Sequence, residues 1–180
     1  MKIVAVLGSP RAKGNSSVLA AEVLRGAKDA GHEVILYEID KMNVHGCRGC
    51  GRCHAANSDC VIEDDMKKYW DDLKDCGALL LSSPNYYSQV TGPMITFMNR
   101  HYSMKDGKGA NRLTGERKLI GVFAQGNENA NAYMEQYQWF LNTFQHYGMK
   151  TVGILVSAGE KPVSQNAELM KRAYALGRSI

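Results

Sequence analysis

No stretch of this 180-residue sequence keeps apolar residues together for anything near the roughly 20 that cross a bilayer as a helix. A helical membrane span is therefore excluded. The amino terminus offers only Ile3-Val4-Ala5-Val6-Leu7 before Gly8, too short for the apolar region of a signal peptide and lacking a small-residue cleavage site. The expected compartment is the cytoplasm. Internal repeats, low-complexity tracts and linker-like stretches are missing too, so the expectation is one compact domain over residues 1–180. No recognised nucleic-acid-binding motif occurs, and no nucleic-acid partner is expected.

What is present begins with charge. The formal net charge is +4. From Arg100 to Lys118, Arg100, Lys105, Lys108, Arg112, Arg117 and Lys118 face only Asp106 and Glu116, and this surplus accounts for that of the whole chain. Such a segment reads either as a solvated loop or as a landing site for an anionic partner, a nicotinamide dinucleotide or an acidic redox protein.

Short apolar runs of strand length recur at Lys2–Leu7, Glu33–Tyr37, Gly77–Leu81, Lys118–Phe123 and Thr151–Val156, each closed by small or polar residues. Between them, helical spacing appears after Asn15-Ser16-Ser17, which read as N-cap residues, and near Asp64–Lys74, Gly92–Arg100, Ala130–Tyr147 and Ser164–Gly177. Strands alternating with helices predict an α/β fold, a doubly wound five-stranded parallel sheet with helices on both faces. The flavodoxin-like order 2-1-3-4-5 suits five strands, and it places ligands outside the carboxyl ends of the strands. Two connections are long, Glu38 to about Glu63 and Tyr102 to about Arg117, a length usual for functional loops.

The turn after the first strand is Gly8-Ser9-Pro10-Arg11-Ala12-Lys13-Gly14-Asn15-Ser16-Ser17. Hydroxyls, an amide, a guanidinium and the N–H groups of a helix N-terminus meet there, the chemistry of a phosphate cradle. The spacing is neither that of the P-loop nor the G-x-G-x-x-G of dinucleotide folds.

Gly8-Ser9-Pro10-Arg11 with Gly14-Asn15-Ser16 resembles the phosphate loop of the NADPH-dependent FMN reductase family, a flavodoxin-like group. Ser83-Pro84-Asn85-Tyr86-Tyr87-Ser88-Gln89-Val90 is similar to that family's loop after the third strand, and Ala124-Gln125-Gly126-Asn127 to its loop after the fourth. The resemblance implies FMN as cofactor, held by Ser9, Arg11, Gly14, Asn15, Ser16 and Ser17 at the phosphate. The ring would then lie against Pro84, Asn85, Tyr86, Tyr87, Ser88, Gln89, Val90, Gln125, Gly126 and Asn127. Pro84 and the tyrosines can form a flat wall, of which one tyrosine is expected to point to the core. Asn85, Gln89, Gln125 and the amides of the Gly126 turn can donate to ring atoms that gain electron density on reduction. No side chain is expected to act as acid or base. Asn99 stands before Arg100 where the family often has an acid, which leaves a local ion-pair partner for Arg100 in question.

Four of five cysteines, Cys47, Cys50, Cys53 and Cys60, form the pattern C-x2-C-x2-C-x6-C in a loop at about 43–63, while Cys76 reads as a core thiol. Two x2 steps suit a 4Fe–4S cluster, and Arg48 and Arg52 would raise its reduction potential. A zinc site, free thiols or a redox disulfide remain alternatives. His45 and His54 read as solvated loop residues. The loop, followed by Asp64-Asp65-Met66, resembles the iron–sulfur flavoprotein branch of the same family.

Three functions stay open at this point. In the first, a ferredoxin-like donor feeds electrons through a cluster to FMN and on to a quinone or oxygen species. In the second, NAD(P)H reduces FMN directly, steered by the basic segment. The third is a non-enzymatic electron carrier, against which the basic charge counts. The resemblance also implies a homodimer or homotetramer in which one subunit's cysteine loop approaches another's flavin.

Overall fold

The computed structural model describes residues 1–180. Strand β1 (Lys2–Leu7) is buried from Ile3 to Leu7 because a parallel strand pairs each of its edges, β2 (Glu33–Glu38) and β3 (Ala78–Tyr86), and helices cover both of its faces. The two-residue β4 (Gln89–Val90) folds back antiparallel on the end of β3. Parallel strands β5 (Arg117–Gln125) and β6 (Met149–Ala158) complete the sheet in the order β2-β1-β3-β5-β6. With the hairpin arm β4 set aside, this is the expected 2-1-3-4-5 arrangement.

Alternate strand residues feed two cores. Ile3, Ala5, Leu80, Ile120 and Val122 pack with helices α1 (Asn15–Asp29) and, at the far end of the chain, Ala167–Arg178. Val4, Val6, Leu79, Leu81 and Phe123 face the larger cluster on the other side. Its helices follow α2 (Arg52–Ala55), a single turn inside the cysteine loop: α3 (Met66–Asp75), α4 (Gly92–Arg100) and α5 (Met134–Gln145), with Ala167–Arg178 numbered α6. Helices α1 and α6 touch backbone to backbone at Gly26 and Gly177. A Cβ on Gly177 would stand 1.9 Å from the Val23 carbonyl oxygen, and one on Gly26 2.2 Å from that of Tyr174.

Three differences from the sequence reading have physical causes. Strand β3 runs on to Tyr86, beyond the last apolar residue Leu81, because Ser82, Ser83 and Pro84 still pair with Val122, Phe123 and Ala124. Helix α5 starts at Met134 instead of Ala130. Asn127 and Asn129 accept from the N–H groups of Asn129 and Asn131, and these consecutive turns compete with helix. Helix α1 is capped by Gly14 with no side-chain cap bond, so Asn15, Ser16 and Ser17 are its first residues and not its N-cap.

Candidate active site at the carboxyl edge of the sheet

A cavity of about 640 Å³ opens where β1, β3, β5 and β6 end. Ser9, Arg11, Gly14, Asn15 and Ser16 line it from one side, with Pro84, Asn85, Tyr86, Gln125 and Gly126 opposite. Ala124, Lys13, Gly159 and Glu160 complete the lining. The segment after β6, with Gly159 and Glu160, was not foreseen. No motif marks it in the sequence, and only the sheet order brings it beside the β1 turn.

The β1 turn is built for an anion. Val18 is the first residue of α1 whose N–H has a backbone acceptor before it, Gly14, so the N–H groups of Asn15, Ser16 and Ser17 donate to nothing within the protein. Ser16 is buried and its Oγ has no partner either. A buried hydroxyl left unmatched costs of order 1–3 kcal/mol, and one phosphate group would satisfy it together with the N–H groups. Arg11 reaches across the mouth, its Nη2 3.5 Å from the Tyr86 hydroxyl.

Other members of the expected set do structural work. Ser17 donates to the Arg11 carbonyl, closing the turn. The Asn15 side chain donates to the Lys161 carbonyl at 3.0 Å and accepts from Val163 N–H at 3.0 Å. It pins the segment after β6 to the phosphate turn and is not free to bind an anion itself. Gln125 spends its Nε2 on the carbonyls of Asn127 and Asn129, and Asn85 spends its Nδ2 on the Tyr137 hydroxyl. Both N–H bonds of Gln125 are thus spent, so contrary to expectation its amide cannot donate to a ring, whereas Asn85 keeps one of its two. The Gln89 Oε1 takes the Val90 N–H. Val90 is buried in the core, and Ser88 and Asn127 lie outside the cavity lining.

Neither adjacent tyrosine points inward. Tyr86 is 42% exposed at the cavity, and Tyr87 is fully exposed at the hairpin tip. Tyr87 and Ser88 both have positive φ, 54° and 63°, the sign pattern of a type I′ turn usually made by Asn-Gly. This left-handed pair throws the Tyr87 ring clear of the sheet.

The four expected cysteine ligands line a single recess together with Val61, Ile62 and Tyr102. Cys47 and Cys50 are exposed, Cys53 is buried at the start of α2 and Cys60 is half-buried. Gly49 and Gly51 adopt φ of 62° and 67°, which lets the chain curl around the recess. The Arg52 N–H and guanidinium hold the Cys50 thiol below its usual range, whereas burial pushes that of Cys53 up. No three His, Cys, Asp or Glu side chains converge as ligands of one metal ion do. A cubane cluster needs no such convergence, since each thiolate binds a different iron.

The loop is tied at its neck. Asp64 accepts from the N–H of His45 and of Met66 and from both Nη atoms of Arg100, whose Nη1 also donates to the His45 carbonyl. Asp65 binds the Asn43 N–H, and the Asn43 carbonyl takes the Asp65 N–H. Arg100, whose partner the sequence left in question, thus pairs with Asp64 across the fold, both side chains without exposure. His54 is half-buried: it stacks on Tyr102 with centroids 4.0 Å apart, a ring nitrogen 2.8 Å from the Tyr102 carbonyl oxygen.

The basic segment is not a free patch. Besides Arg100, Arg117 is buried and donates to the carbonyls of Leu73, Lys74 and Thr114, while Arg112 bonds Asp59 and the Ser103 carbonyl. Lys118 donates to the Ile180 carbonyl. Lys105 and Lys108 stand without an acidic or carbonyl partner, so fewer charges of the segment are unengaged than its sequence suggests.

A parallel sheet of this order, with an anion cradle after its first strand and a polar slot between the next two strand ends, defines a flavodoxin-like flavoprotein of the oxidoreductase class. The chain belongs to the NADPH-dependent FMN reductase family, whose model of that description matches residues 1–162. An iron–sulfur flavoprotein of Archaeoglobus fulgidus is 31% identical over 180 residues, 100% of this chain and 79% of the relative. One from Methanocaldococcus jannaschii is 26% identical over 153 residues, covering 85% of this chain and 76% of that one. Among solved structures, an NAD(P)H:quinone oxidoreductase from Methanothermobacter marburgensis superposes with a TM-score of 0.80 at 17% identity, over 99% of this chain and 95% of that chain. At this identity the likeness speaks for the fold alone. No helix is long and apolar enough to cross a membrane.

Proposed function

We propose that the chain is an FMN-dependent electron-transfer enzyme that takes single electrons through a 4Fe–4S cluster on Cys47, Cys50, Cys53 and Cys60 and passes them in pairs to a small acceptor, a quinone or an oxygen species. The observation that carries the flavin part is the cradle of unpartnered N–H groups with the buried, unpaired Ser16 hydroxyl at one end of the 640 Å³ cavity. FMN, when bound, supplies the exchange between one-electron and two-electron chemistry. In this reading Ser16 and the α1 N-terminus hold the phosphate, Arg11 and Tyr86 close over the mouth, and Pro84 and the Gly126 turn flank the ring. Four thiols on one recess, in a loop tied shut by Asp64 and Arg100, support the cluster, as do the names of the relatives. The exposure of Cys47 and Cys50 offers a donor of ferredoxin type a route in.

Anaerobic purification followed by an absorption spectrum with iron and acid-labile sulfide assays tests this reading. Flavin bands without iron would overturn the cluster, and iron without flavin would overturn the assignment of the cavity. Direct reduction by NAD(P)H, the second reading, is favoured by the family match. Stopped-flow mixing decides it, because NADPH that bleaches the flavin no faster than buffer removes it. A homodimer or homotetramer belongs to the same proposal and is read by sedimentation of the cofactor-loaded protein.

A further inference from the structure

Beneath the cavity a chain of hydrogen bonds has a direction that can be worked out from one end. The backbone carbonyls of Asn127 and Asn129 can only accept. Gln125 Nε2 lies 3.3 and 2.7 Å from their oxygens, so the nitrogen of that amide faces them and its Oε1 faces Tyr137. Tyr137 has one hydroxyl proton and spends it on Oε1 at 2.9 Å, so toward any other neighbour its oxygen only accepts. That neighbour is Asn85, 3.2 Å away. Asn85 must therefore turn its NH2 to Tyr137, which takes one of its two N–H bonds, and this fixes Oδ1 as the acceptor atom of an amide that lines the cavity. No group of the protein donates to Oδ1, and it is not among the sealed, unpartnered atoms of the interior.

The relay is held stiffly. Tyr137 stacks on Phe123 with centroids 4.1 Å apart and rings 2° from parallel, and both side chains are fully buried. Burial pushes the Tyr137 phenol up to about 12, so it keeps its proton at any physiological pH. An unrestrained asparagine serves donors and acceptors alike by rotating its amide. This one cannot turn without leaving Tyr137 facing an oxygen to which it has no proton to give, at a cost comparable to a buried unmatched group.

We propose that Asn85 is a fixed hydrogen-bond acceptor for a ring N–H of the flavin, and that Tyr137 and Gln125 are positioning residues that set its polarity. The inference rests on the reading that the cavity holds FMN. Most of an isoalloxazine edge consists of acceptors (N1, O2, O4, N5), and the oxidised ring has one N–H, at N3. Reduction adds another at N5. A wired acceptor thus selects for a ring edge that donates and disfavours one whose N–H has been methylated.

The test uses the full chain with FMN labelled with 15N in the ring, followed by NMR in the oxidised and reduced states. Wild type, Asn85→Ala, Tyr137→Phe and the double variant are compared, with dissociation constants from quenching of FMN fluorescence. The N3 or N5 proton resonance is expected to move toward its free-flavin position in both single variants. Asn85→Ala should weaken FMN about tenfold, Tyr137→Phe somewhat less, and the double variant no more than Asn85→Ala, because the hydroxyl acts only through the amide. Tyr137→Phe retains the stack on Phe123, and should it fail to fold, Asn85→Ala alone carries the resonance readout. Ring resonances unchanged in the variants would overturn the proposal. So would a Tyr137→Phe penalty of equal size with and without Asn85, which marks a purely structural hydroxyl. A wild-type protein that quenches no FMN overturns the cavity reading, and this inference with it.

Discussion

Replacing Asp64 by Asn removes one negative charge from the neck of the cysteine loop and turns one acceptor oxygen into an NH2 that faces donors. The side chain of Asp64 has no exposure and receives four hydrogen bonds, two from Arg100 and one each from the N–H groups of His45 and Met66, at 3.0 and 3.1 Å. Asn keeps the shape but leaves the guanidinium of Arg100 in the interior without the Asp64 carboxylate, and either orientation of its amide sets an NH2 against two N–H donors. Breaking one side of a buried pair costs about 3–5 kcal/mol, a large part of the roughly 5–15 kcal/mol that holds a domain folded. For a chain of this size the melting temperature should fall by about 6–20 °C. The pH dependence gives a second check. Burial by itself raises the Asp64 pKa, yet the Arg100 guanidinium and the two N–H groups outweigh it and hold the carboxyl below the usual 3.8. A carboxylate depressed in the folded state stabilises in full above its unfolded pKa and loses that contribution as pH falls through its folded value. The gap between wild type and Asp64→Asn should therefore be flat from about pH 8 to 5 and narrow below about pH 4. Urea unfolding followed by circular dichroism across that range measures both. A loss under about 1 kcal/mol at neutral pH, or a gap that does not narrow in acid, would refute the reasoning.

Other outcomes follow from the same geometry. Ser16→Ala and Arg11→Ala should each weaken FMN about five- to tenfold by calorimetric titration, and unchanged affinity would take the phosphate away from the β1 turn. Gly177→Ala puts a methyl group 1.9 Å from the Val23 carbonyl oxygen, so α1 and α6 must separate, at about 1–3 kcal/mol in a thermal melt; a neutral substitution would mean that the helices do not touch there. His101 is fully buried with Tyr69 on one ring nitrogen and the Phe97 carbonyl on the other, and burial lowers its pKa to about 3. The unfolded chain protonates it near 6.5, so its neutral burial should cost stability progressively as pH falls from there toward 3. His101→Phe should flatten the stability profile between about pH 6.5 and 5, measured as urea midpoints, and an unaltered slope would count against a neutral His101.

Strand existence and sheet order were legible because fully buried parallel strands read as unbroken apolar runs, and Lys2–Leu7 appears in the structure with the same bounds. Strand ends were not. The polar residues Ser82 to Tyr86 carry the site and lack the hydrophobic signal, although they continue the ladder. The phosphate turn could be read from donor density, yet which donors remain free could not. Asn15 and Ser17 look like Ser16 in the sequence and are spent on Lys161, Val163 and Arg11. The six basic residues from Arg100 to Lys118 likewise read as one patch, whereas most of them find partners distant in sequence, Asp64, Asp59, Leu73 and Ile180 among them.

The sequence by itself determined the alternation of buried strands and amphipathic helices, the anion-binding turn after the first strand and the density of thiols at residues 47–60, because each is a local pattern set by neighbours along the chain. Only the tertiary structure decided which way each polar group faces. Ser16 keeps an unused hydroxyl because the fold buries it with no polar partner, and Asn85 presents an oxygen because Gln125 and Tyr137, from another strand and helix, have already committed their amide and their single proton. Hydrogen-bond polarity is a property of the closed network, and a network closes only when elements far apart in the chain are brought together.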